Sequence, residues 1–336
     1  MRAVRLYDTR DLRFETVDVP PDPPAGEVRL RVAYAGICGS DIHNFKTGQW
    51  ITRKPSIAGH EFSGVVHAVD AGVTGFAPGD KVVADSRDYC GECQKSSVGK
   101  HHLCEKLGFV GESRDGGYAD FVDLPEKLLF KCRDDASLDV MTLAEPLAVA
   151  LHALAKMQVA ETPIFIIGCG PIGALSAMAS KLTSDREILV CDQNEFRANL
   201  VAKSSGGTVV SLSDLDALSE RNAGPMAHIL DTTGSVTVIS HVLNGLSDAT
   251  LGLVGIGSGS IDFDPVRAVE REFTIVGCHA FEREMPQAIA LLHNHAPDFK
   301  PLISHRIRLE DVPAEFARIA AGNASGIKTL IEIGDR

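Results

Sequence analysis

A two-domain α/β architecture is what this sequence predicts, and three observations carry the prediction. The first 130 residues alternate apolar and polar positions, as in Val28, Leu30, Val32 and Tyr34 interleaved with Arg29 and Arg31. That period of two, cut by turn-rich stretches at Pro21 to Gly26, Gly72 to Gly79 and Gly116-Gly117, describes half-buried antiparallel strands. From about Leu147 the texture changes to compact apolar runs separated by small-residue helical stretches. Runs of that kind are strands buried on both faces of a parallel sheet, so the middle reads as a doubly wound α/β domain. The third observation is a glycine-rich turn between the first of those runs and the first of those helices, Gly168 to Gly173.

The elements follow in order. The strands of the α/β part are read at Ile164 to Ile167, Ile188 to Cys191, His228 to Leu230, Leu251 to Val254 and Ile275-Val276, with a helix at Ala174 to Leu182. After Gly277 an amphipathic helix (Met285 to His293) and a late strand (Thr329 to Ile333) restore the mixed texture, so the domains are expected at 1–147 with 280–336, and at 148–279.

Composition bounds the function. The 336 residues are 44% hydrophobic and 23% charged, as in a folded globular protein. Thirty-three Lys+Arg against 45 Asp+Glu leave a net charge of −12, the wrong sign for neutralising nucleic-acid phosphates. A small phosphorylated substrate stays open, with Arg114 or Arg283 to hold it. The chain shows neither the apolar core of a signal peptide nor an apolar run that spans a bilayer, so a cytoplasmic protein with no membrane partner is expected. Eight cysteines in such a chain read as thiols or metal ligands rather than disulfides.

Gly168-Cys169-Gly170-Pro171-Ile172-Gly173 is G-x-G-x-x-G in the strand-to-helix context that binds a dinucleotide. Gly168 permits the turn, Gly170 lets backbone approach the pyrophosphate, and Gly173 lets helix and strand pack. The helix start then offers N–H groups to the phosphates. Asp192 ends the next apolar run, 19 residues past Gly173, where its carboxylate accepts ribose hydroxyls and repels a 2′-phosphate. NAD is therefore expected over NADP, and Arg197 is counted with the cofactor-binding residues.

Cys38, in Gly36-Ile37-Cys38-Gly39-Ser40-Asp41-Ile42-His43, is followed 22 residues later by Gly59-His60-Glu61. A thiolate, an imidazole and a carboxylate fill three corners of a tetrahedron and leave the fourth open, the layout of a catalytic zinc. Together with the fingerprint, Pro78-Gly79-Asp80-Lys81-Val82, Asp115-Gly116-Gly117-Tyr118-Ala119 and Glu145-Pro146-Leu147-Ala148, these residues resemble the zinc-dependent medium-chain alcohol and polyol dehydrogenases. The resemblance implies a GroES-like β-barrel catalytic domain built from both chain ends, with a Rossmann domain inserted. It implies Cys38, His60 and Glu61 as catalytic-zinc ligands, and Glu145 as the carboxylate that takes the fourth position or holds the water there. It also implies Ser40 and His43 as the proton relay, and a homodimer or homotetramer. The glutamate at 145 points to the sorbitol, idonate, galactitol-phosphate and threonine dehydrogenase branch, whose reaction passes a hydride between a secondary alcohol and NAD.

One departure stands out. The family's second zinc lobe has four cysteines spaced C-x2-C-x2-C-x7-C; Cys90, Cys93 and Cys104 fit, but Ser96 takes the third place. A hydroxyl does not ionise near neutrality as a thiol can, so one zinc per chain is expected, with the second site empty. His101 and His102 lie nearby but off the matching position. Two other readings are a zinc-free quinone or enone reductase on the same scaffold, which has no use for Cys38, His60, Glu61 and Glu145 together, and a non-catalytic dinucleotide-binding protein. The substrate itself, a small polar alcohol or ketone, is left open among polyols, sugar acids and sugar phosphates.

Overall fold

The computed structural model describes residues 1–19, 21–158, 162–214 and 227–334. The chain divides into two compact units, Met1–Glu145 with Met285–Arg336, and Pro146–Glu284.

In the first unit the strand Glu27–Gly36 is the spine of a seven-stranded sheet. Glu61–Val69 runs antiparallel to it from Val28 to Gly36, Phe121–Pro125 pairs with its first half, and Lys328–Glu332 pairs with its last three residues. The alternation read in the sequence puts Val28, Leu30 and Val32 in the core beside Phe62, Val66 and Leu124. Arg29, on the opposite face, is buried as well, because Asp123 on the adjoining strand takes its guanidinium at 2.8 Å. Lys81–Ala84 and Ile303–Arg308 extend the sheet, and a smaller sheet joins Asp11–Thr16, Arg2–Asp8 and Ser56–Ile57. The carboxy-terminal strand begins at Lys328, one residue before the apolar run, and that lysine is fully buried.

In the second unit six parallel strands lie in the order Thr208–Val209, Ile188–Cys191, Ile164–Ile167, Ala227–Asp231, Ala249–Leu253 and Thr274–Gly277. Numbered along the chain this is 3-2-1-4-5-6, the doubly wound Rossmann order, whose crevice opens at the carboxyl ends of the central strands. Phe165, Ile167, Leu189, Ile229 and Leu251 form one face's core. Residues 280–284, grouped with the first domain by sequence texture, pack with this unit instead, as do Pro146 and Leu147. Phe281 is fully buried, and Glu284 accepts a hydrogen bond from His152 Nδ1 at 3.0 Å. Among the described residues no helix is long and apolar enough to cross a membrane.

Candidate active site

Cys38 caps the helix Gly39–Thr47, and His60 and Glu61 stand where Glu61–Val69 begins. One donor atom from each of Cys38, His60 and Glu61 lies within 4.8 Å of the others. The backbone makes this possible at Gly59, which has φ +94° and carries the Tyr118 ring where a side chain would be. Tyr118 places its hydroxyl 2.8 Å from Asp41 Oδ2 and 3.0 Å from the Gly36 carbonyl. Asp41 also accepts the Cys38 N–H at 3.0 Å, and its other oxygen faces His60 Nδ1 at 3.3 Å. A carboxylate behind an imidazole fixes its tautomer and turns Nε2 to a metal. Burial alone would push the His60 imidazole down, but Asp41 and Cys38 hold it well above its usual range. Asp41 was not singled out from the sequence, although it sits inside the Cys38 motif.

Lys328 is the second residue that sequence reasoning passed over. It is 1% exposed, donates to the Ile37 carbonyl at 3.0 Å and is ion-paired with Glu61 Oε2. The two side chains meet over Gly36, where a Cβ would stand 2.5 Å from Glu61 Oε2 and 2.6 Å from Lys328 Cε. A lysine in an apolar strand is the signal that existed, since such a charge is buried only with a partner. The other carboxylate oxygen, Glu61 Oε1, is buried without a hydrogen-bond partner. An orphaned anionic oxygen beside a thiol and an imidazole is the donor set that suits zinc.

Glu145 lies outside the converged trio. It is 7% exposed and accepts the Ser86 hydroxyl at 2.6 Å, and burial pushes its carboxyl up to about 7. Ser40 Oγ donates to Cys38 Sγ at 3.1 Å and lies 3.4 Å from His60 Nε2. His43, one turn further along the same helix, is 2.8 Å from Gln49 Oε1 rather than hydrogen-bonded to Ser40, and its ring stands 4.8 Å from that of Trp50.

In the second unit the glycine turn follows Ile164–Ile167, and Pro171, Ile172 and Gly173 open the helix Pro171–Thr183 with Pro171 at its first turn. Gly168 has φ +97°, and a Cβ on Gly173 would lie 1.8 Å from the Gly168 carbonyl, so neither tolerates a side chain. A Cβ on Gly170 would meet nothing within 4 Å, the open approach a pyrophosphate needs. Asp192 accepts N–H groups from Cys169 and Asn194, both at 2.7 Å, which ties it to the glycine turn. Arg197 lies in the helix Glu195–Ser205, which Asn194 caps. These residues fit a dinucleotide.

Cys90, Cys93 and Cys104 also converge. Cys104 Sγ is 3.4 Å from Cys90 Sγ and 3.8 Å from Cys93 Sγ, while Ser96 Oγ is 3.3 Å from Cys93 Sγ and 3.8 Å from Cys90 Sγ. Four backbone N–H groups, of Cys90, Cys93, Ser96 and Lys106, aim at these sulfurs. The Ser96 hydroxyl brings the Cys93 thiol down to about 6. Neither histidine joins the group, and His101 stacks on Tyr89 at 3.8 Å.

A doubly wound sheet with an open glycine turn in one unit, and a thiol, imidazole and carboxylate cluster in the other, are the features of a metal-dependent dehydrogenase. Residues 24–134 match the alcohol dehydrogenase GroES-like domain. An L-threonine 3-dehydrogenase of Deinococcus deserti is 28% identical over 337 residues, covering 97% of this chain and 98% of the relative. A protein named Probable D-xylulose reductase A, from Aspergillus fumigatus, is 31% identical over 345 residues, covering 97% and 95%. The solved galactitol-1-phosphate dehydrogenase of Escherichia coli superposes with a TM-score of 0.90 at 26% identity, covering 99% of this chain and 100% of that one. The chain belongs to the zinc-dependent medium-chain alcohol and polyol dehydrogenases, oxidoreductases that act on CH–OH groups with a dinucleotide.

The second lobe is directly testable. Metal analysis is expected to give about one zinc per wild-type chain and about two for Ser96→Cys, which restores a four-thiolate site. Two in the wild type, or one in the variant, contradicts this assignment to Ser96.

Proposed function

We propose that this chain is an NAD-dependent dehydrogenase of secondary hydroxyl groups on polyols, sugar acids or sugar phosphates, reversible to the ketone. The convergence of Cys38, His60 and Glu61, with Glu61 Oε1 left unsatisfied, is the observation that carries the reading. These three residues would hold the zinc. When bound, zinc polarises the substrate oxygen and the nicotinamide carries the hydride. Asp41 keeps His60 in the tautomer that presents Nε2. Ser40 receives the proton leaving the substrate hydroxyl, and His43, half-buried and bonded to Gln49, passes it toward solvent, a step suited to an imidazole. Glu145, its carboxyl raised by burial and tethered by Ser86, is poised for the fourth position. The Asp192 carboxylate, fixed by two N–H groups at the ribose end of the turn, supports NAD over NADP.

A homodimer or homotetramer joined at the sheet edge Thr274–Gly277 is part of this reading. Among the described residues that strand has a neighbour on one side only, and Phe263, Val266, Val269 and Ile275 of this unit are exposed. Bare edges with apolar flanks are covered in native proteins.

Cys38→Ala is expected to abolish turnover while leaving NADH affinity, followed by fluorescence titration, unchanged; the wild type should also show a higher kcat/KM with NAD than with NADP. Retained turnover refutes the metal assignment, and preference for NADP refutes the role given to Asp192. Val269→Asp, at a side chain 77% exposed, should shift sedimentation toward the monomer. An unchanged oligomer places the interface elsewhere.

A further inference from the structure

The lobe that carries Cys90, Cys93 and Cys104 has no part in the alcohol chemistry, and Ser96 changes what its thiols can do. Its sulfurs sit on two arms, Cys90 to Cys93 and Cys104 to Lys106, held together by contacts of their own. The Tyr89 and His101 rings stack 3.8 Å apart, and Lys127 Nζ fixes Tyr89 by donating to its carbonyl at 2.6 Å. Lys106 faces Glu92 at 3.1 Å, and the Cys90 N–H crosses to Cys104 Sγ at 3.4 Å. The segment between the arms closes on itself, with the N–H groups of Gly99, Lys100 and Cys104 donating to the carbonyls of Ser96, Lys95 and His101 at 3.1, 3.0 and 3.1 Å. The entropy of bringing the arms together is thus already lost, and two sulfurs held in contact react as one molecule rather than two.

Cys104 Sγ is the common neighbour, 3.4 Å from Cys90 Sγ and 3.8 Å from Cys93 Sγ. Cys90 is half-buried and open to a small reagent, whereas Cys104 is 7% exposed and shielded. Backbone N–H groups reach all three sulfurs, and such donors favour the thiolate, the reactive form of a cysteine. A fourth thiolate would complete a tetrahedral zinc site and hold these sulfurs as ligands, but the Ser96 hydroxyl leaves them as thiols. The cysteines outside both clusters are poorer candidates. Burial pushes Cys132 and Cys169 up to about 12 and Cys278 up to about 11, and it raises Cys191 as well.

We propose that this lobe is a thiol redox site, at which a peroxide converts Cys90 and Cys104 into a reversible intramolecular disulfide. The Cys90 thiolate attacks one oxygen of hydrogen peroxide; the O–O bond breaks, a sulfenic acid forms and hydroxide leaves. The Cys104 sulfur then attacks the Cys90 sulfur; the S–S bond forms, the S–O bond breaks, and the hydroxyl leaves with the Cys104 proton as water. The first hydroxide takes up the proton that Cys90 had released. Two thiols are oxidised and one peroxide is reduced to two waters. A dithiol reductant reverses the step by exchange. Neither zinc at Cys38 nor the dinucleotide takes part, so the proposal is independent of the reading of the chain as an alcohol dehydrogenase.

The test is tryptic mapping by mass spectrometry of the purified enzyme after treatment with hydrogen peroxide and alkylation. The peptide 88–95, which holds Cys90 and Cys93, should be found cross-linked to the peptide 101–106, which holds Cys104. Two of the eight thiols should be lost, and dithiothreitol should restore both. The cross-link should persist in Cys93→Ser. In Cys104→Ser it should vanish and leave on Cys90 a sulfenic acid that dimedone traps. The wild-type map decides the matter even where a variant fails to fold. Three lobe thiols that stay free while peroxide is consumed, or a wild type whose lobe cysteines end as sulfinic and sulfonic acids without a cross-link, overturn the proposal. So does a second zinc per chain that shields the three sulfurs from alkylation, or a cross-link that forms equally well in Cys90→Ser.

Discussion

The ion pair between Lys328 and Glu61 is the constraint on which the first unit and its chemistry depend. Three chain segments far apart in sequence meet there, because Gly36 on the spine strand leaves room for a side chain from each neighbouring strand. A charge buried without a partner costs several kcal/mol. Strand Lys328–Glu332 can therefore add to the sheet only in the register that delivers Lys328 to Glu61. The same contact closes a domain whose two pieces are separated by the whole of Pro146–Glu284. It also decides which oxygen of Glu61 is free, since Oε2 is taken by the ammonium and Oε1 is left bare.

The charge around that pair explains why the cluster is suited to a cation. The carboxylates of Asp41 and Glu61 lie with Cys38 and His60 where the buried ammonium is Lys328, and Asp41 and Cys38 raise the His60 imidazole well above its usual range. A bound metal would take the imidazole and the thiol in their deprotonated forms and would supply positive charge beside the two carboxylates. The second unit solves a different problem by sterics: Gly168 and Gly173 remove side chains so that strand, turn and helix close on each other, while Gly170 faces open space. Electrostatics shape one half of the chemistry and backbone clearance the other.

What could be read from sequence follows from these physical causes. Gly168 to Gly173 and Asp192 were legible because steric and spacing rules act within about 25 residues of chain. That Cys38, His60 and Glu61 would come together was legible because few side-chain types suit a zinc site. Asp41 and Lys328 were not, since an acid and a lysine are common and only tertiary contacts give them their roles. Ser96 showed that a thiol was missing, but not that the remaining three stay assembled with N–H groups aimed at them. The alternation in Glu27–Gly36 put Arg29 among the polar positions of a half-buried strand, and Asp123 draws it inside. The return to the first unit is later than sequence texture indicated because the His152–Glu284 contact and the burial of Phe281 retain residues 280–284.

Zinc held at Glu61 Oε1 is expected to offset the loss of the Lys328 counter-charge at Oε2. The direct measurement is the denaturant midpoint of wild type and Lys328→Met, each with zinc and with a chelator. Breaking a buried pair by removing one member costs about 3–5 kcal/mol, a large share of the roughly 5–15 kcal/mol that holds a protein folded. The predicted result is a loss of that size in the chelated variant and a markedly smaller loss when zinc is present. Equal losses with and without zinc, or none in either, would contradict it.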